Sequence, residues 1–251
     1  MVKRPANVVV LGATKGMGRA LARRMAERGD RLFLLGRELD ELRRSASDLQ
    51  SRSTVHHDVG VAVCDLERLE TFDAALDQAE AALGSLDVVV VTAGQFATQD
   101  RLEQDPELAH RLLTVNFANT VTFCERARRR LLARGGGTLC VFSSVAGERG
   151  RKRVVLYGAA KAGLSGYLEG LDHRYRAEGL VTVCVKPGFV TTSMTEGLPR
   201  PPFAGHPDAV AKRVLAAIDR GKSVVYAPPM WALVMFIIRL LPRFVMRRLD
   251  F

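Results

Sequence analysis

The chain has 251 residues, 47% of them hydrophobic, and 37 basic side chains against 27 acidic give it a net charge of +10. That is enough for one α/β domain with a sizeable core, and no linker rich in proline, glycine or serine divides it. The charge favours anionic partners in general, but the basic runs at 126–134, 149–153 and 239–248 lack the interleaved aromatic platform a nucleic-acid binder would use, so no nucleic acid is expected.

Residues 8–11 form an apolar, β-branched run of the kind buried on both faces of a parallel sheet, and a central strand is predicted there. Gly12, Gly16 and Gly18 follow at once, where the chain must turn sharply and bring bare backbone close to a ligand. The helix predicted over 17–28 points its free N–H groups at that turn, a suitable seat for a pyrophosphate. The spacing is G-x-x-x-G-x-G, not the common dinucleotide fingerprint, so alone it is weak evidence.

A second strand is predicted over 31–35. Where an NAD site would place an acidic residue for the adenosine ribose, this chain has Gly36 and Arg37. Arg37 and Lys15 are two cations suited to a 2′-phosphate, so NADP(H) is preferred over NAD(H). A polar helix over 38–52 leads to a third strand over 59–64, at whose end Asp65 either meets the adenine amino group or caps the next helix, predicted over 66–83. His56 and His57 have no Cys or carboxylate at ligand spacing; they are expected to be exposed, and no metal site is expected.

The fourth strand, 87–91, runs into Thr92, Ala93 and Gly94, small enough to approach a cofactor closely. A long helix is predicted within 106–134, with Asn116 among apolar residues where a buried amide needs partners. A fifth strand over 138–142 delivers Ser143 and Ser144. Tyr157 and Lys161 follow, four residues apart and therefore on one helix face. A sixth strand over 182–185 precedes Pro187, Gly188, Val190 and Thr192. The segment 193–206, with prolines at 199, 201 and 202, is predicted as a loop over the substrate. A helix over 207–220 and an edge strand over 223–227 complete an α/β fold: one Rossmann-like, doubly wound parallel sheet of about seven strands with helices on both faces. Cys64, Cys124, Cys140 and Cys184 lie in apolar stretches without C-x-x-C spacing and are expected to be buried thiols, in keeping with a reducing cytosol.

Taken together and in order, the glycine turn, Asp65-Leu66, Ala93-Gly94, Asn116, Ser144, Tyr157-x-x-x-Lys161 and Pro187-Gly188-x-Val190-x-Thr192 resemble the short-chain dehydrogenase/reductase family over nearly the whole chain. Leu11 and Thr92 depart from its usual threonine and asparagine. The resemblance implies carbonyl reduction with Asn116, Ser144, Tyr157 and Lys161 as catalytic residues. It also implies cofactor contacts from Gly12, Thr14, Lys15, Gly16, Met17, Gly18, Arg37, Asp65, Leu66, Ala93, Gly94, Tyr157, Lys161, Pro187, Gly188, Val190 and Thr192, and self-association into a homo-oligomer. A phenol is a poor acid at neutral pH unless a cation steadies its anion, and Lys161 is expected to be that cation. Family resemblance further implies that Ser144 holds the carbonyl and Asn116 a relay water.

Residues 228–251 form a separate segment beyond the 1–227 domain. Eleven of the twelve residues from 230 to 241 are apolar, too few to span a bilayer, and Arg239, Arg243, Arg247 and Arg248 make a basic rim. This reads as an amphipathic helix lying on an anionic membrane surface or packed on protein. Residues 143–152, 221–228 and 242–249 resemble the keto-reductases of decaprenylphosphoryl-arabinose formation, which implies a polyprenylphosphoryl 2-keto-pentose as substrate. A 3-keto sphingoid base and a non-catalytic NADP sensor docked on membranes are the alternatives. The expected location is cytoplasmic, peripheral on the inner face of the membrane.

Overall fold

The computed structural model describes residues 5–55, 57–201 and 203–250; His56, Pro202 and the termini lie outside them. Seven strands form one parallel sheet: β1 (Asn7–Leu11), β2 (Arg31–Gly36), β3 (Gly60–Val63), β4 (Val88–Val91), β5 (Gly137–Phe142), β6 (Leu180–Pro187) and β7 (Val224–Ala227), in the order β3-β2-β1-β4-β5-β6-β7. The reversal of order on either side of β1 and β4 creates the crevice beyond the strands' carboxyl ends where sheets of this kind bind ligands.

Alternation along the strands sends side chains into two cores. Val8 and Val10 pack with α1 (Gly16–Glu27), α2 (Leu39–Arg52) and α8 (Pro207–Arg220). Val9 and Leu11 face α3 (Thr71–Leu83), α6 (Asn119–Ala133) and α7 (Val155–Tyr175). The doubly wound architecture expected from the pattern is therefore present, with α4 (Gln99–Gln104) and α5 (Pro106–Leu113) at the edge of the crevice.

Three local expectations need correction. The helix predicted from residue 66 starts only at Thr71, because Arg68 N donates to Asp65 O and Thr71 Oγ1 to Arg68 O, closing a turn first. The long helix predicted within 106–134 is interrupted by a π-helical turn at Thr114–Ala118, the kind of bulge that re-aims a side chain at a site. His57 is half-buried rather than exposed, with Nε2 3.4 Å from the Leu32 N–H, and burial holds its imidazole below the usual range.

All four cysteines are buried free thiols. After β7 the chain forms α9 (Trp231–Leu240), bends at Pro242 and ends in the single turn α10 (Arg243–Met246). α9 packs against β7 and the turn after β5, with Met235 fully buried. No helix among the described residues is long and apolar enough to cross a membrane.

Candidate active site

The glycine turn is dictated by space. Gly12 has φ of +96°, where an L side chain is strained, and a Cβ there would lie 2.7 Å from Ala93 N and from Thr92 Oγ1. At Gly18 a Cβ would fall 2.2 Å from Gly12 O, so Gly18 is the packing glycine that lets α1 seat against the turn. Thr92, one of the two departures from the family pattern, ties this arrangement: its hydroxyl lies 2.9 Å from Gly12 O and 3.1 Å from Leu11 O. Leu11, the other departure, is simply core, with 1% exposure.

α1 begins after Lys15 without a side-chain cap and without an acidic residue in its first turn, so its N–H groups and positive dipole end stay available to an anion. Beside it runs a cleft of about 520 Å³ lined by Gly12, Thr14, Lys15, Gly36, Arg37, Asp65, Leu66, Ala93 and Gly94. A bare-backbone turn, an open helix terminus and two cations fit a phosphorylated dinucleotide. Arg37 is largely exposed and lies 4.0 Å from Glu67, whose Oε1 also accepts from Gln95 Nε2. Asp65 does not cap the helix, which starts six residues later; its Oδ1 accepts from Glu67 N at 3.0 Å within the preceding turn, and the residue borders the cleft. Gly16 and Thr192 meet on the adjoining surface, where a Cβ on Gly16 would lie 3.3 Å from the Thr192 methyl.

The cleft continues into a second cavity of about 600 Å³, into which Met17, Ser144, Tyr157, Pro187, Gly188, Val190 and Thr192 project. Ser144 Oγ accepts from Ala146 N at 3.1 Å and lies 3.5 Å from Pro187 O, which aims the hydroxyl across the cavity floor. Tyr157 stands edge-on to Phe96, ring centroids 5.2 Å apart. Lys161 does not line the cavity. It sits behind the phenol, 5% exposed, with Nζ 2.9 Å from Phe142 O and 5.9 Å from the Tyr157 ring centroid.

Asn116 is likewise fully buried behind the site, and the π turn delivers its amide to one place. Oδ1 accepts from Gln95 N at 2.8 Å and Nδ2 donates to Gln95 O at 2.7 Å, clamping the segment that follows Gly94. A Cβ on Gly94 would lie 2.9 Å from Asn116 Oδ1 and 3.7 Å from Lys161 Nζ, so these three residues meet in space.

Burial governs the titration of the central pair. It pushes the Tyr157 phenol up to about 12, against the hydrogen bond from Ser144, and pulls the Lys161 ammonium down to about 8. Desolvation therefore sets the direction of the phenol's shift, opposed by the Ser144 hydrogen bond rather than by the neighbouring cation. At neutral pH Tyr157 holds its proton and Lys161 is still mostly charged.

Sequence reasoning missed residues that carry no motif. Phe96 and Met194 border both cavities, and Gln99 Oε1 accepts from Leu156 N at the start of the Tyr157 helix. Trp231, Val234, Ile238 and Leu241 form a complete wall of the second cavity. The Trp231 indole lies on Gly188, where a Cβ would fall 2.0 Å from Nε1. The tail expected to be a separate segment is therefore part of the site. Among the described residues no group of His, Cys, Asp and Glu side chains could hold a metal.

Residues 6–201 match the short chain dehydrogenase family, and the chain belongs to it. It is an oxidoreductase of that family, the class that the family match and its relatives define. An uncharacterised oxidoreductase of Mycobacterium tuberculosis is 35% identical over 247 residues, covering 98% of this chain and 97% of the relative. Another, from Streptomyces coelicolor, is 34% identical over 248 residues, 98% and 96% of the two chains. The carbonyl reductase family member 4 of Xenopus tropicalis is 26% identical over 218 residues, 84% and 89% of the two chains. Among solved structures, an actinorhodin polyketide ketoreductase with NADPH superposes with a TM-score of 0.80 at 22% identity, covering 92% of this chain and 99% of that one, a likeness of fold.

Proposed function

We propose that this chain reduces a ketone on an apolar, lipid-like molecule to a secondary alcohol, with NADP(H) as the hydride partner. The observation that carries the reading is the second cavity, where the hydroxyls of Ser144 and Tyr157 share a lining with the apolar side chains of Trp231, Val234, Ile238 and Leu241, and Arg151 and Arg153 also border it. A soluble sugar or amino acid would leave most of that wall without a polar partner, whereas a hydrocarbon chain buries against it.

When bound, a dinucleotide would supply the hydride. The glycine turn and the start of α1 would hold its pyrophosphate, Lys15 and Arg37 its 2′-phosphate, and the 187–192 segment its nicotinamide end. Negative charge builds on the carbonyl oxygen as the hydride arrives, and two groups meet it there. Ser144 donates a hydrogen bond, and Tyr157 gives up its proton, leaving the alcohol neutral and the phenolate facing Lys161. The ammonium steadies that phenolate, and Asn116 keeps the Gln95 segment and the relay in register. A phenol pushed up to about 12 is fully protonated before the reaction, which suits a proton donor.

The finer reading is a lipid-linked keto sugar, a polyprenylphosphoryl 2-keto-pentose. Arg151 and Arg153 border the same cavity, in a position to meet a phosphate between sugar and lipid. Support for NADP(H) comes from Lys15 and Arg37 and from the absence of an acidic residue at 36 and 37.

The test is oxidation of NADPH, followed by absorbance, with three ketones: a prenylphosphoryl 2-keto-pentose, a 3-keto sphingoid base and a short water-soluble ketone. The expected order places the phosphorylated keto sugar first, with Tyr157→Phe lowering turnover by roughly 10²–10⁴. Preference for the sphingoid base keeps the lipid-ketone reading and removes the sugar. Turnover unaffected by Tyr157→Phe, or equal use of the soluble ketone, overturns the proposal.

A further inference from the structure

α9 carries apolar residues on both of its long faces. Trp231, Val234, Ile238 and Leu241 turn inward to the cavity. Leu233, Phe236, Ile237, Leu240 and, past the bend, Phe244 turn outward and are 53–68% exposed. The outward residues recur at three- and four-residue intervals, so they form one continuous stripe. A helix apolar all round belongs in a protein core or in lipid, and this one has protein against only half of its circumference.

The rim of that stripe has one sign. Arg243, Arg247 and Arg248 are exposed beside it, and from 228 to 250 the only acidic residue is Asp250, which is paired with Arg153. Next to the stripe, between α10 and the turn after β5, runs a groove of about 690 Å³. Arg149, Arg151, Lys152, Arg243 and Arg247 border it, over a floor of alanine, valine and leucine side chains. α9 itself is fixed at two points: Arg149 Nη2 donates to Leu241 O at 2.8 Å, and Arg239 pairs at 3.4 Å with the buried Glu148, which also binds Lys186.

We infer that the outward face of α9 and α10, with the arginine groove beside it, docks on the surface of an anionic lipid bilayer. Charge selects this occupant: a second copy of the same face would bring one arginine rim against another, while anionic headgroups neutralise it. Length sets the mode. Ten helical residues extend about 15 Å against a hydrocarbon core of about 30 Å, so α9 lies in the interface with its stripe below the headgroups. Because the opposite face of the same helix walls the substrate cavity, docking sets that cavity against the membrane from which a lipid ketone would come. The docking itself is independent of which ketone is reduced, and it survives if the reductase reading fails.

The experiment is co-sedimentation of the full chain with vesicles of phosphatidylcholine alone and of phosphatidylcholine mixed equally with phosphatidylglycerol. The chain is expected to pellet with the mixed vesicles, to stay in solution with the neutral ones, and to be released by roughly 0.5 M salt. Phe236→Glu with Leu240→Glu abolishes pelleting, and Arg243→Glu with Arg247→Glu weakens it at least roughly tenfold. None of the four residues in these two pairs lines the cavity of Ser144 and Tyr157, so thermal melts close to that of the unaltered chain show that the fold is kept. Should the acidic pair at 236 and 240 unfold the chain, the arginine pair and the salt titration still decide. The inference is overturned if the unaltered chain ignores anionic vesicles, if the arginine pair binds as well as it does, or if sedimentation velocity shows Phe236→Glu with Leu240→Glu splitting a dimer that never bound lipid.

Discussion

Replacing Lys161 by methionine separates what the lysine does for the reaction from what it does to the fold. Its Nζ lies 5.9 Å from the Tyr157 ring centroid, and at an effective dielectric constant of about 20 a unit charge at that range stabilises a phenolate by about 3 kcal/mol. Loss of that term predicts a fall in kcat of about a hundredfold. Stability moves the other way. Burial holds Lys161 at about 8, below its ordinary 10.5, so the folded chain releases this proton before the unfolded chain does. Below about 8 the penalty is complete, on the order of 3 kcal/mol, and it fades as pH rises toward 10.5. Lys161→Met removes it at neutral pH and is expected to raise the urea midpoint. The reductase rate of the unaltered chain should also decline with a midpoint near pH 8 as the ammonium is lost. NADPH turnover from neutral to alkaline pH, with urea melts of both proteins, checks all three. A methionine variant with near-normal kcat, or a rate that is flat through pH 8, refutes the electrostatic account.

Other substitutions probe the supports of the site. Gly18→Ala places a methyl 2.2 Å from Gly12 O, so α1 must shift; a loss of roughly 1–3 kcal/mol in thermal stability and of measurable NADPH binding by fluorescence is expected. Arg37→Ser should raise the KM for NADPH by roughly ten- to a hundredfold and leave that for NADH nearly unchanged, the signature of a lost charge-assisted contact to a 2′-phosphate. Glu148→Gln leaves Lys186, whose ammonium is largely buried, without its carboxylate, and should destabilise the chain by roughly 3–5 kcal/mol in denaturant melts.

The parallel sheet was legible because parallel strands buried on both faces leave uninterrupted apolar runs, as at 8–11 and 88–91, and the glycine turn because Gly12 and Gly18 have no room for a Cβ. The π turn at Thr114–Ala118 left no trace in the apolar spacing, since one extra residue in a turn shifts the helical period by less than the scatter of the pattern. The late start of α3 was hidden by Asp65, which is as good a cap for a turn as for a helix. The direction of the Tyr157 shift was also beyond the sequence: helical spacing fixes how near Lys161 lies, but not how dry the surroundings are, and here desolvation sets the direction.

α9 shows most plainly how a sequence pattern can leave its meaning open. A stretch that is apolar on every side has no polar face to orient it, so its composition is equally consistent with a buried wall and with a lipid-facing surface. The structure orients the helix through a few polar anchors elsewhere in the chain: Glu148 receives Arg239, and Arg149 reaches Leu241 O. Both anchors lie in the turn that follows β5 and Ser144, so the helix that lines the second cavity is positioned by the same short segment that presents the Ser144 hydroxyl to it. The C-terminal residues are in this way a structural part of the cavity that holds Ser144 and Tyr157.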